Sequence, residues 1–251
     1  MDITQTFYDN MASHYDKLFQ DWEATTREQA VILDQIFRDN GFHRSAKVLD
    51  CACGIGTQAI GLAALGYGVT ASDISDGELR EAKIRAEKQK VNIPFVCADF
   101  RRLSESFDRT FDIAICMDNA LPHMLSESAL AEAIHSITAQ ISPGGMFVAS
   151  IRDYDALLQT KPAYSLPYIH KTENGQRVSF QTWEWEGDCY RLVQYIIEDE
   201  KMVNINKFTC IYRATRRDEI TRLLQERGFR EVKWLFPEET GFYQPLVVAK
   251  K

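Results

Sequence analysis

A doubly wound α/β fold is the architecture this sequence predicts, with a mostly parallel seven-stranded sheet and an antiparallel β lid inserted after strand five. Three observations carry it. Up to about residue 150, short unbroken apolar runs alternate with segments of helical periodicity. From Lys161 the pattern changes to polar–apolar alternation, and the chain closes as strand, loop, strand. The corresponding division is a main domain over 1–160 and 214–251, with a lid over 161–213.

The elements follow in order. Thr25 with Glu28 reads as a capping box before Ile32, Leu33, Ile36 and Phe37 at helical spacing, and Asn40-Gly41 reads as the stop. AKVLDC is the first strand, TQAIGLAALG a helix and YGVTASD the second strand, which makes one βαβ unit. Ser75 and Glu78 form a second capping box before ELREAKIRAEKQK. PFVCAD, FDIAICM and GGMFVASI follow as strands covered on both faces, with EAIHSITAQI as a helix between the last two. RVSFQTWEW, YRLVQYIIEDE and MVNINKFTCIYRA read as an antiparallel sheet broken by Gly187-Asp188 and an acidic turn. Thr215 caps RRDEITRLLQER before Gly228, and FREVKWLF and YQPLVVAK flank a PEETGF turn.

Composition narrows the function. At 251 residues and 45% apolar content the chain can bury a full core. Its formal charge of -7 gives no long-range positive field, so nucleic acid is not the expected partner. Its apolar runs fall short of a bilayer crossing, and MDITQTFYDNMASHYD lacks the basic and apolar regions of a secretory signal. A cytoplasmic protein is expected, with its six cysteines reduced, because four of them sit in apolar runs. Cys51 and Cys53 are too close for a comfortable disulfide and have no ligand-spaced companions, so no metal site is read.

The chemistry concentrates after the first strand. Asp50 ends that strand, and Gly54 and Gly56 form a turn where backbone can approach a ligand. Asp73 ends the second strand about 20 residues on, where a carboxylate can accept both ribose hydroxyls. That is an adenosine-binding pattern. Gly54, Gly56 and Ala59 also satisfy the loose dinucleotide fingerprint, which leaves a dehydrogenase open. Asp50 directly before the turn, a helix before the first strand and the terminal hairpin favour a sulfonium cofactor instead.

VLDCACGIG, ASDIS, CADF, the SPGG turn and the terminal hairpin resemble class I S-adenosylmethionine-dependent methyltransferases, which have a Rossmann-like fold. LDCACGIG, CMDNALPH and SIRDYDALL resemble more narrowly the glycine and sarcosine N-methyltransferase branch. The resemblance implies S-adenosylmethionine as methyl donor and S-adenosylhomocysteine as product. Ala52 and Gly54 then line the methionine part, with Asp50 beside them, and Asp73 with Ile74 holds the ribose. Asp99 takes the adenine amine, Phe100 offers a backbone amide, and Met117 closes the strand-four side. Arg27 resembles an arginine that pairs with the cofactor carboxylate, and its other reading is a solvated helix residue. Tyr15 and Trp22 either close over the sulfonium or simply pack the N-terminal segment.

For the acceptor, Met117, Asp118, Asn119 and His123 project from the carboxyl edge, where open α/β sheets bind ligands. Asn119 resembles a substrate-contacting asparagine, and His123 is either a base or a loop-stabilising donor. Arg152 resembles a substrate-carboxylate arginine with Tyr154 following, unless Arg152 pairs with Asp153 or Asp155. Glu238, Glu239 and Tyr243 belong to a loop that a parallel sixth strand brings to the same edge. The resemblance thus implies methyl transfer to a small molecule, the best match being the amine of a glycine-like amino acid. Tyr164 to Ala214 departs from the glycine enzymes, which keeps a hydroxyl or thiol acceptor open, as well as a non-catalytic adenosine-ligand regulator. Oligomeric state is not readable from these residues.

Overall fold

The structure is a computed structural model that describes residues 3–173, 175–199 and 202–251. In chain order the elements are α1 (Ile3–Met11), α2 (Trp22–Asp39), β1 (Lys47–Asp50), α3 (Thr57–Ala64), β2 (Gly68–Asp73) and α4 (Asp76–Lys88). Next come β3 (Phe95–Cys97), β4 (Phe111–Cys116), α5 (Glu127–Ala139), β5 (Ile141–Ser150) and α6 (Tyr154–Thr160). The second sheet is β6 (Tyr168–Thr172), β7 (Gly175–Glu186), β8 (Cys189–Asp199) and β9 (Val203–Arg213). The chain closes with α7 (Arg217–Glu226), β10 (Glu231–Leu235), α8 (Pro237–Thr240) and β11 (Leu246–Lys250).

The seven-stranded order is β10-β11-β5-β4-β1-β2-β3, parallel except for β11. Because strand side chains alternate faces, β1 and β4 each feed two cores. Leu49, Ala114 and Cys116 join the α5 and α7 side with Leu130, Ile134 and Leu224. Val48, Ile113 and Ile115 join the α2 and α3 side with Leu33, Phe37 and Ile60. Packing on both faces explains why these strands read as continuous apolar runs.

The second sheet has the order β6-β7-β8-β9, antiparallel throughout. Tyr190, Leu192, Cys210 and Tyr212 on its inner face belong to the same apolar cluster as α5 and α7. Fully burying a large apolar side chain contributes roughly 1.5–3 kcal/mol, so this shared cluster ties the second sheet to the main one. Among the described residues no helix is long and apolar enough to cross a membrane.

Several local readings change. α2 starts at Trp22, not beyond Thr25, because Asp21 adopts an extended conformation and accepts the Ala24 N–H at 2.9 Å. Ser75 does cap α4 by accepting the Glu78 N–H, but the Ser75 N–H goes to Asp73, so the capping box is half made. Thr215 turns back to the Arg213 carbonyl instead of capping α7, and Glu219 accepts the Arg216 N–H in that role. α1, α6 and β6 carry no expectation from sequence, and PEETGF forms the one-turn α8. The strand read through Glu200 is observed to Asp199, and Glu200 itself lies outside the described residues. Cys51, Cys53, Cys116 and Cys210 are buried, whereas Cys97 is exposed and Cys189 half-buried.

Candidate functional site

β1 and β2 end side by side, and the glycine turn bends over both. Gly54 (φ 53°) and Gly56 (φ 91°) lie in the left-handed region, where L side chains are strained. A methyl group on Gly56 would meet Ile60 Cδ1 at 2.8 Å, and one on Gly54 would meet Glu78 Oε2 at 3.3 Å. Asp73 accepts the Gly54 N–H at 2.8 Å and the Ser75 N–H at 2.9 Å. Burial pushes its carboxyl above the usual range, and those backbone bonds pull against the rise.

A first cavity of about 470 Å³ opens beyond this turn, within the range of small-molecule sites. Ala52, Gly54, Asp73 and Ile74 line its floor, and Asp99, Phe100 and Met117 line its walls. Asp99 is already engaged, because the Arg101 Nε donates to its two oxygens at 3.0 and 2.8 Å. Burial alone would raise the Asp99 carboxyl, yet the Arg101 guanidinium and N–H outweigh it and hold the carboxyl below its ordinary range. Asp50 does not line the cavity. It sits beneath the turn, fully buried, with Oδ2 unpartnered and its carboxyl pushed well up by burial. Glu78 is buried with both oxygens unpartnered. Burial and then the Asp73 charge raise it well above the usual range.

A glycine cradle that a Cβ would fill and two acids, Asp73 at the end of β2 and Asp99 after β3, on the cavity lining suit a ligand with hydroxyls and a cationic end. S-adenosylmethionine has both. The residues present therefore fit that cofactor.

A second cavity of about 850 Å³ lies between the carboxyl edge and the second sheet, and Tyr8, Tyr15 and Asp118 line both spaces. Arg152 enters the second cavity from the end of β5. Its Nη2 donates to Gln181 Oε1 at 2.9 Å and its Nη1 to the Tyr190 hydroxyl at 3.3 Å, while its guanidinium carbon lies 5.0 Å from the Trp183 ring centre. Among the described residues no carboxylate is within ion-pair distance of it, since Asp153 and Asp155 pair with Arg217 instead. Burial works against the charged form, but the surrounding hydroxyls of Tyr190, Tyr154 and Tyr212 outweigh it, so the guanidinium stays charged.

Asn119 lines the same cavity and fixes the local backbone, its Oδ1 accepting the Arg152 N–H at 3.1 Å. Asp118 and Asn119 both adopt left-handed φ (54° and 68°), unusual for consecutive non-glycine residues and tolerated best by Asp and Asn. Ser150 holds this kink, its Oγ accepting the Asp118 N–H and its carbonyl the Asn119 N–H. His123 faces the first cavity with Nε2 2.9 Å from the Tyr8 hydroxyl. Tyr243 donates to Asp118 Oδ1 at 2.8 Å, Glu238 borders the second cavity, and Glu239 caps α8 at the Phe236 N–H.

Besides Asp50, three expected residues lie off the cavities. Trp22 is buried behind the turn, its Nε1 donating to Thr57 Oγ1 at 3.0 Å beneath the Arg85 guanidinium. Arg27 points to solvent from the outer face of α2 and borders neither cavity. Tyr154 is fully buried behind Arg152, bonded to the Tyr190 hydroxyl at 2.8 Å. Conversely, Tyr8, Gln181 and Tyr212 line the cavities and Gln58 bonds Asp118 at their junction, and none of these four carries an expectation from sequence. Alternation in β7 was the available signal for Gln181 and Trp183, which share one face.

Residues 48–145 match the methyltransferase domain family. The glycine/sarcosine N-methyltransferase of Aphanothece halophytica is 24% identical over 226 residues, covering 90% of this chain and 80% of that protein. An S-adenosylmethionine-dependent methyltransferase from Clostridium acetobutylicum ATCC 824 superposes with TM-score 0.74 at 18% identity, covering 97% of each chain. An amino pentose methyltransferase from Micromonospora echinaspora, solved with S-adenosylmethionine bound, gives 0.72 at 17% identity, covering 90% and 91%. With the glycine turn, Asp73 and the 3-2-1-4-5 core order already in place, the chain carries a methyltransferase domain over residues 48–145 and has the fold of S-adenosylmethionine-dependent methyltransferases.

Proposed function

We propose that the chain transfers a methyl group to the amine of a small molecule that also carries a carboxylate, as a glycine-like amino acid does. One observation carries this reading. Arg152 presents a charged guanidinium to the second cavity without a carboxylate partner among the described residues, and leaving such a charge uncompensated costs stability unless a ligand anion pairs with it.

In this reading Ala52, Gly54, Asp73 and Ile74 hold the methionine and ribose parts of the cofactor, and Phe100, Asp99 and Met117 bound the adenine. S-adenosylmethionine, when bound, supplies a methyl group already activated on its sulfonium. The chain has to orient the acceptor and exclude water. Tyr15, shared by both cavities, sits where the two ligands meet. The inserted sheet acts as the substrate wall, with Gln181 fixing the arginine fork. Trp22 and Tyr154 act as buttresses, and Arg27 takes no part.

The size of the second cavity favours a second reading, in which the acceptor is much larger than glycine and carries an amine, hydroxyl or thiol on an apolar body. Incubation with labelled cofactor and a panel of carboxylated amines from glycine upward tests both. Transfer that Arg152→Ala lowers about tenfold or more while S-adenosylhomocysteine affinity persists supports the first. Transfer to no member of the panel would overturn it. Binding of S-adenosylhomocysteine with no transfer from a metabolite extract either would leave a non-catalytic regulator.

A further inference from the structure

Resting on the reading of Arg152 above, we propose that Asp118 holds the ammonium group of the methyl acceptor and takes the proton this amine loses before it receives the methyl group. Its position suggests the role first. With Tyr8 and Tyr15, Asp118 borders both cavities, so its carboxylate lies where an acceptor nitrogen must approach the methyl carbon.

The carboxylate is aimed and held. Oδ2 accepts from Gln58 Nε2 at 2.9 Å, and that amide is itself anchored on Gln29 Oε1 at 2.6 Å. Oδ1 accepts the Tyr243 hydroxyl at 2.8 Å. Both donors are neutral, and each oxygen keeps a lone pair for another donor. No Lys, Arg or His among the described residues forms an ion pair with it, so its charge is left for a ligand cation. The left-handed backbone at Asp118 and Asn119, stabilised by Ser150, is local strain of the kind that accumulates at functional positions.

The other proton acceptors are less well placed. His123 already binds the Tyr8 hydroxyl and packs 4.1 Å from the Tyr212 ring, and Tyr154 does not reach the cavity. Gln58 and Tyr243 act on Asp118 directly, and its charge in turn raises the Asp50 carboxyl and the Tyr15 and Tyr243 hydroxyls around it. Burial raises the Asp118 carboxyl above the usual range, which strengthens it as a base, and the Gln58 and Tyr243 bonds oppose part of that rise.

The step balances. The ammonium gives its proton to Asp118, leaving a neutral amine and a carboxylic acid. The amine lone pair forms the N–C bond as the C–S bond breaks, and that electron pair stays on sulfur. The products are a thioether, a methylammonium and protonated Asp118, which releases its proton to solvent as product leaves. Arg152 and Asp118 together select an acceptor with an anionic and a cationic end.

The test uses protein loaded with S-adenosylhomocysteine and two calorimetric probes, phenethylamine and 3-phenylpropionate, whose rings suit the aromatic wall of Trp183 and Tyr212. Asp118→Asn is expected to weaken the amine about tenfold or more while leaving the carboxylate within about threefold. Arg152→Gln is expected to do the reverse, so the two readings fail separately. In wild type, lowering the pH toward about 5.5, where the probe carboxylate is still ionised, is expected to weaken the amine as Asp118 protonates while the carboxylate probe holds, a readout independent of whether the variant folds. Equal amine affinity in wild type and Asp118→Asn, or no amine binding by wild type, overturns the proposal. So does a variant that loses only S-adenosylhomocysteine.

Discussion

Asn119 Oδ1 accepts the backbone N–H of Arg152 at 3.1 Å, which ties the loop after β4 to the segment after β5. The bond sets the direction in which the arginine leaves its strand, and the positive φ of Asn119 makes the geometry possible. Replacing Asn119 with Ala removes the acceptor and places a residue poorly suited to that φ. A stability loss of about 1–3 kcal/mol is expected. Denaturant unfolding reads that loss, and steady-state kinetics should show acceptor KM rising with S-adenosylhomocysteine affinity unchanged.

Arg152→Ala is expected to behave differently. Its guanidinium has neutral partners only, so its removal leaves no buried carboxylate unpaired and the change in Tm should be small. A charge-assisted pair with the acceptor carboxylate is worth roughly 1.5–3 kcal/mol, so kcat/KM should drop about 10- to 100-fold or more. A large loss of Tm with little change in kcat/KM would make Arg152 a structural residue.

Glu78 stores instability that pH can reveal. Its folded carboxyl is raised by burial and by Asp73, and both oxygens lack partners. A carboxyl raised on folding binds more protons folded than unfolded between its two pKa values, so stability falls as pH climbs through that window. Asp50, Asp73 and Asp118 are raised too and act in the same direction. The ligand-free protein is expected to melt lower at about pH 8 than at about pH 5.5, and Glu78→Gln should flatten that slope and raise Tm at the higher pH by about 2–4 °C. A steeper slope in the variant would refute this account.

The local parts of the site were legible, because each depends on a few adjacent residues. VLDCACGIG carried the turn, and Asp73, Asp99 and Phe100 stood at strand ends where β-strand spacing alone puts them at the carboxyl edge. Of the two readings of Arg27, the solvated one agrees with its exposed position, and the signal for it was in the sequence. Trp22, Thr26, Gln29, Ala30, Leu33 and Phe37 form one buried stripe of α2, and Arg27 falls off it. Trp22 lies on that stripe and so packs inward. The Tyr8 to Tyr212 contact, 204 residues apart, was out of reach of any local pattern. Asp118, visible at the strand end, gained its meaning only when Gln58 and Tyr243 closed on it from two other elements.

Two glycines with nearly the same backbone separate strain from ligand contact. Gly41 (φ 87°) ends α2 with nothing within 4 Å of a hypothetical Cβ, so Gly41→Ala pays only the left-handed penalty, about 1 kcal/mol. Gly56 (φ 91°) adds a clash, since its Cβ would sit 2.8 Å from Ile60 Cδ1 and 3.1 Å from Cγ1, and Ile60 is fully buried. Moving Ile60 shifts the start of α3 and with it the turn that borders the first cavity. Gly56→Ala is therefore expected to lose about 1–3 kcal/mol more than Gly41→Ala in urea unfolding. If the turn approaches the adenosyl ligand as closely as its shape suggests, S-adenosylhomocysteine affinity should fall only in Gly56→Ala. Equal affinity in the two variants, measured where both are fully folded, would mean that these glycines serve the fold and not the ligand.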